Sequence, residues 1–439
     1  MTISANDDRK SGAGPELGRT LEKLYISYSW ICGRILEGEA GRAERLCSVS
    51  VGNFPVIAPS DDRPPAQSNA IKTCPTTGHG LVPPDRYDRP NRSQSLYWRQ
   101  YIRNFRDLLA VGIGLCACGV AGQALAWGAT GHRFIGRLAV ETLPMDLPQF
   151  LHTPAAVEAE GELAREPDRW KGSGKIHDAD RDAAHFLDLG DDGKVFGGPS
   201  LGDLPTTRAD YDAALRAVGA DSWKAGYLPY AIIDGWQQLT RDFAYWRVDT
   251  AAAKGVADPA HRAWFAQDGV RRQALLLRDL GTLAHYVGDG SQPMHVSIHF
   301  NGWGDFPNPD GFTKDRIHAP FEGAFVRSYV TQVSVRAAMT PYRECQCGID
   351  ARMREYLAAT NQMVRPLYQL YKDGAFGKGD ARGQAFVVAR LAAGASELRD
   401  EIIDAWRASA TSDVGWPAVK VADVLAGKLD PFDSLYGED

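Results

Sequence analysis

His285-Tyr-Val-Gly-Asp289-Gly-Ser-Gln-Pro-Met-His295 carries three metal-competent side chains in eleven residues. Upstream, over Arg271 to Tyr286, the residues Leu275, Leu276, Leu280, Leu283 and Ala284 recur at helical spacing. Residues four apart share a helix face, so His285 and Asp289 aim one imidazole and one carboxylate at the same point. Gly290, Ser291 and Pro293 then end the helix and swing His295 round to a neighbouring position. Further on, His318 and Glu322 repeat the same spacing of histidine and acid, which again fits one helical face.

The helical period extends over the rest of the chain beyond Ala126. Phe134 to Leu143, closed by Pro144, reads as a helix, as do Tyr211 to Ala217, Gly226 to Trp246 and Trp264 to Tyr286. Ala319 to Ala338, Arg352 to Tyr371 and Gln384 to Ala408 follow the same period, with Leu357, Val364, Leu367 and Leu370 on one face. Leu189 to Asp210 and Ser297 to Arg316 are rich in Gly, Pro, Asp and Asn and read as loops. No run of alternating strands stands out. The predicted fold class is therefore all-α, a multi-helix bundle with ligands projecting inward from several helices. Trp223, Trp236 and Trp246 sit in apolar helical patterns and are expected in the core.

Composition bounds the function without choosing it. The chain has 439 residues, 44% hydrophobic and 24% charged, which is the make-up of a globular protein with room for a sizeable core. Its formal charge of −6 gives no long-range attraction for nucleic acid or anionic membrane, so binding of a polyanion has to be local or metal-borne.

Residues 1–98 lack sustained periodicity and are read as an extension without a packed core, or as a stretch upstream of the true translation start. Residues 99–126 then read as a signal peptide. Arg99, Arg103 and Arg106 precede an uncharged run from Leu108 that ends Ala124-Leu-Ala126, giving the basic, apolar and small-residue zones of an export signal. Glycines dilute the run and no basic stop-transfer cluster follows, so cleavage after Ala126 is expected, with an exported, periplasmic or secreted, product spanning 127–439. Lipidation at Cys118 is the competing reading. Only Cys345 and Cys347 remain beyond the cut, and they are read as too close for an easy disulfide.

Four motifs together resemble one family. Trp127-Gly-x-x-Gly-His132, His185-Phe-x-Asp188, His285-Tyr-x-Gly-Asp289-x-x-Gln-Pro-x-His295 and His318-x-x-x-Glu322 look like the ligand framework of the zinc-dependent S1/P1 nuclease and phospholipase C superfamily. The resemblance runs from Trp127 to Glu322, with a looser helical correspondence to about residue 408. It implies three Zn²⁺ ions. One would take Asp168, His185, His285 and Asp289; a second His295, His318 and Glu322; the third the free α-amino group and carbonyl of Trp127, with His132 and the other oxygen of Asp289. Such ligands are those expected of zinc without thiolates. Three such ions less three carboxylates and one hydroxide leave about +2, which suits a phosphodiester gaining charge in its transition state.

The resemblance also implies hydrolysis by metal-bound hydroxide, with Asp168 and Asp289 holding the reacting pair and Lys171 near a non-bridging oxygen. Phe186 and Asp188 would stack on a base and hydrogen-bond its edge, favouring single strands. The short step from Trp127 to His132 and the spacing from His295 to His318 resemble the nucleases, while Met294 and Glu322 resemble the phospholipases. The function expected is thus a monomeric endonuclease, or 3′-nucleotidase, acting on single-stranded nucleic acid. A phospholipase C-type enzyme, a phosphatase and a non-catalytic zinc-binding protein remain as alternatives. His152, His177, His261 and His299 are read as surface or loop residues, His299 also as a substitute ligand.

Overall fold

Residues 127–437 are described by the computed structural model, and the expectations for residues 1–98 and 99–126 lie outside the described residues. The frame is α1 (Ala129–Glu141), α2 (Pro154–Leu163), α3 (Leu228–Gly255), α4 (Pro259–Gly290), α5 (Ile349–Asn361) and α6 (Ala381–Ser409), joined by shorter helices and loops. The fold is mainly α, as the periodicity predicts.

The most extensive packing joins α3 to α4, which are linked only by Val256, Ala257 and Asp258 and so run back along one another. Asp258 starts α4 by accepting from Ala260 N at 2.6 Å, and Pro259 sits where no amide partner is required. The inner end of α4 buries Leu276, Leu280, Leu283 and Ala284, but Leu275 is exposed, because its neighbour Leu276 already takes the inward direction. Gly281 explains how α2 comes so close: a Cβ there would lie 2.4 Å from Leu163 Cβ. That contact brings the end of α2 beside His285, one turn further along α4.

Helix α6 covers the bundle, packing on α1, α3 and α4 through Leu391, Ala395, Leu398 and Ile402. It is tied to α5 by a buried arginine, whose guanidinium donates to Glu397 Oε1 at 2.6 Å and Asp404 Oδ2 at 2.9 Å. Removing Arg352 itself should destabilise the fold by about 3–5 kcal/mol, since the buried Glu397 would lose its counter-charge. A smaller apolar cluster at the far end gathers Val248 and Phe265 with Val414, Val419 and Val421.

Several sequence expectations are corrected. Ala319 to Ala338 is not one helix: a π-helical turn at Pro320–Phe325 runs into Val326–Tyr329, the chain is extended at Val330, and Gln332–Ala338 starts afresh under a Thr331 cap. Arg352 to Tyr371 is likewise divided, α5 ending at Asn361 and a second helix running Val364–Lys372. One small hairpin exists, Asp413–Val414 paired with Val419–Lys420. Trp223 is 49% exposed instead of core, because it lies on a short surface helix, Ser222–Ala225. Cys345 and Cys347 are disulfide-bonded, a bend bringing their Cα atoms to 5.0 Å, inside the range a disulfide spans. Among the described residues, no helix is long and apolar enough to cross a membrane.

Candidate metal centre

Three groups of side chains, each able to hold a metal ion, meet where α1, α2 and the inner end of α4 converge. His132, His285 and Asp289 form one, Asp168, His185 and His285 another, and His295, His318 and Glu322 the third. All these residues are buried except Asp168, which is partly so. The spacing argument for α4 holds, since His285 Nε2 lies 3.4 Å from Asp289 Oδ2 on the same helix face.

Main-chain carbonyls set the direction of three imidazoles. His285 Nδ1 donates to Ala164 O at 2.9 Å, His295 Nδ1 to His185 O at 2.6 Å and His318 Nδ1 to Phe300 O at 2.6 Å. Each ring therefore turns an Nε2 lone pair into the centre, which is the way a ligating histidine is held by its outer partner. Burial pushes the imidazoles of His132, His185 and His285 well below their ordinary range and lowers that of His295. All four are neutral at pH 7, as metal ligation requires.

The donor set fits a cation. His295 Nε2 and His318 Nε2 face each other at 3.0 Å, with Glu322 Oε2 2.7 Å from the latter, so electron pairs converge without a positive group between them. His132 has no hydrogen-bond partner at either ring nitrogen, although it is fully buried, and Asp289 Oδ1 has none either. Orphaned polar atoms of this kind are costly unless something binds them. A tetrahedral metal with bonds of 2.0–2.1 Å has ligand edges of about 3.3 Å. Here His185 Nδ1 lies 3.0 Å from Asp289 Oδ2, His132 Nε2 3.5 Å from Asp289 Oδ1, and His285 Nε2 3.9 Å from Asp168 Oδ1.

Asp289 links two of the groups: Oδ1 faces His132, and Oδ2 faces His185 and His285. Burial pushes its carboxyl well above the ordinary range, the Asp168 and Glu322 carboxylates push the same way, and only Lys171 opposes them. A carboxylate so placed keeps its charge when a cation sits beside it. Glu322 behaves differently: burial raises it, but His318 and His295 outweigh that and hold it low.

Beside the centre opens a pocket of about 390 Å³ lined by His185, His295 and His318 together with Phe186, Asp188 and Lys171. Lys171 is bound to Asp168, Nζ to Oδ1 at 2.8 Å. Asp188 is pushed up to about 8 by burial alone. Phe300, 50% exposed, lines the same pocket. Trp127 is wholly buried, its indole donating to Ser291 Oγ at 2.7 Å; a Cβ on the adjacent Gly128 would lie 3.3 Å from Glu322 O. The chain at Trp127 thus packs against Ser291 and the turn that carries Glu322.

Four other histidines stay outside the groups. His299 is buried, not a surface residue, stacked on Trp303 at 3.6 Å between ring centroids and facing Trp303 O and Asp191, so it does not replace a ligand. His261 stacks on Phe432 at the far end, and His152 and His177 are part-exposed. Sequence reasoning gave no role to Gln292, which is fully buried with its amide 3.1 Å from His318 Nε2 and 3.3 Å from Glu322 Oε2. Its place inside the 285–295 stretch was the available signal. Lys224 and Phe300 had none, because only the fold brings them to the pocket. No family model matches this chain, and no curated protein does either.

Proposed function

We propose that this chain is a zinc-dependent phosphodiesterase that cuts single-stranded nucleic acid, exported and processed after Ala126, and that it belongs with the S1/P1 nucleases that its motifs resemble. The observation that carries this reading is Asp289, whose two oxygens face two different groups of imidazoles. A carboxylate in that position is suited to bridge paired ions, the arrangement of many phosphoryl hydrolases.

Zinc held there would lower the pKa of a bound water toward neutrality and stabilise charge on phosphoryl oxygens. His132, Asp168, His185, His285 and Asp289 would hold the pair, and His295, His318 and Glu322 the remaining ion. Lys171 keeps a positive charge beside Asp168 and the pocket, as a point charge without a bidentate fork. Phe186 offers a face for an unpaired base, worth about 1–3 kcal/mol in stacking. Asp188, held protonated at neutral pH by burial, can donate a hydrogen bond to a base acceptor.

Zinc-loaded protein assayed side by side on single-stranded DNA and RNA, duplex DNA, 3′-nucleotides and phosphatidylcholine tests the reading. Faster cleavage of single strands than of duplex, giving 5′-phosphorylated products, is expected. Turnover of the lipid alone would sink it, and zinc binding without any turnover would leave a structural metal protein.

A further inference from the structure

We propose that Lys224 recognises a second phosphate of the substrate, next to the one that is cut, and so selects chains carrying at least two phosphates. The inference rests on the phosphodiesterase reading and names the substrate feature that the same site selects. Lys224 lines the pocket that His185, His295 and His318 open into. Its position comes from the long segment between His185 and His285, to which the resemblance gives no role.

That segment is pinned to the ligand-bearing stretch by main-chain hydrogen bonds. Asp188 N donates to Ala225 O at 2.8 Å, Tyr227 N to Ala183 O at 2.8 Å, and Leu228 N to Phe186 O at 3.1 Å. Gly226, at φ +75°, makes the approach possible, since a Cβ there would lie 2.0 Å from Phe186 O. Asp221 fixes the turn by accepting from Lys224 N at 2.9 Å. The main chain under Lys224 is therefore held in place relative to Phe186 and His185, while its side chain is free to reach.

The charge balance shows what that reach is for. The other lysine of the pocket, Lys171, is engaged by Asp168 at 2.8 Å. Asp182 and Asp188 also line the pocket, yet Lys224 pairs with neither, nor with any other carboxylate among the described residues. An exposed ammonium facing a pocket of about 390 Å³ is a point charge that suits a phosphate. The anion has to belong to the molecule being cut, because both face one pocket. A phosphocholine headgroup would bring a cation to the same place and be repelled, so Lys224 also discriminates between substrate types.

The test uses the protein expressed with its export segment, so that processing after Ala126 takes place, and zinc-loaded, as wild type, K224A, K224R and K224E. Substrates are dithymidine monophosphate, the same dinucleotide with a 5′- or a 3′-phosphate added, and bis(4-nitrophenyl) phosphate. Wild type should favour one of the phosphorylated dinucleotides by about tenfold in KM, the size of one charged hydrogen bond. K224A and K224E should lose that preference and K224R should keep it, the readout being the ratio of KM between the phosphorylated and unphosphorylated dinucleotides within each variant, with zinc content reporting that each variant keeps its metal centre. The salt dependence of Kd for a phosphorothioate analogue should fall by about one unit of log-log slope in K224A. A preference that is the same in wild type and K224E, or absent from wild type, overturns the assignment while leaving the phosphodiesterase reading intact. Failure of wild type to cut any dinucleotide overturns both.

Discussion

His295 donates Nδ1–H to the main-chain carbonyl of His185 at 2.6 Å, so a ligand of one metal-competent group is oriented by the backbone of a ligand in another. The two groups are thus joined by a main-chain contact although they share no side chain. His295→Ala should remove one equivalent of zinc and loosen the His185 segment as well, lowering turnover by about 100-fold or more, at the upper end of what a loss of orienting contacts costs. Metal analysis alongside kinetics checks this. Loss of turnover with the full zinc content retained would mean that His295 acts on substrate instead.

Asp289→Asn should be the most damaging ligand change. The amide keeps one oxygen but loses the charge and the second acceptor, so one of the two imidazole groups facing it is left without a carboxylate. Zinc content should fall, and activity should drop by at least about 100-fold. Near-normal activity with a full complement of zinc would refute the bridging role.

Asp188→Asn isolates one titration. Burial raises the Asp188 carboxyl from 3.8 to about 8, so between those values the folded state holds a proton that the unfolded state has released. Stability contributed by this group is fully present below pH 3.8, declines as pH rises and is lost once pH passes about 8. Wild type should therefore lose ground to the variant across that window, by on the order of a few kcal/mol, with the gap level above it. Denaturant melts of both proteins from pH 5 to pH 9 measure the difference. A gap that does not change with pH would place the group in a solvated environment.

Cleavage after Ala126 should create a ligand at Trp127. A main-chain nitrogen offers zinc a lone pair only as a free amine, and the α-amino pKa of about 7.7–8.0 lets a nearby cation displace its proton at neutral pH. Trp127 is wholly buried, its indole donating to Ser291 Oγ two residues after Asp289. Replacing Ala124 and Ala126 with bulky residues should give an uncleaved protein with fewer zinc ions and much lower activity. Full activity and three ions in a chain whose N-terminus precedes Trp127 would rule this out.

The helical class, the shared faces of His285 with Asp289 and of His318 with Glu322, and the break at Gly290 to Pro293 were all legible in the sequence. Each depends on residues within a few positions of one another, where helix geometry alone sets direction. The break at Val330 and the burial of His299 were not, because packing against distant segments decided them.

Sequence by itself thus determined which residues can bind metal and how the local pairs face. The family resemblance had already grouped His132 and His185 with Asp289, whereas only the tertiary structure decided that three main-chain carbonyls aim the imidazoles and that Lys224 reaches the pocket. Those contacts join residues far apart in the chain. Close approaches at Gly281 and Gly226, where a Cβ would stand 2.4 Å from Leu163 Cβ and 2.0 Å from Phe186 O, help to bring the segments beside His285 and His185 into place, a condition that no local spacing encodes.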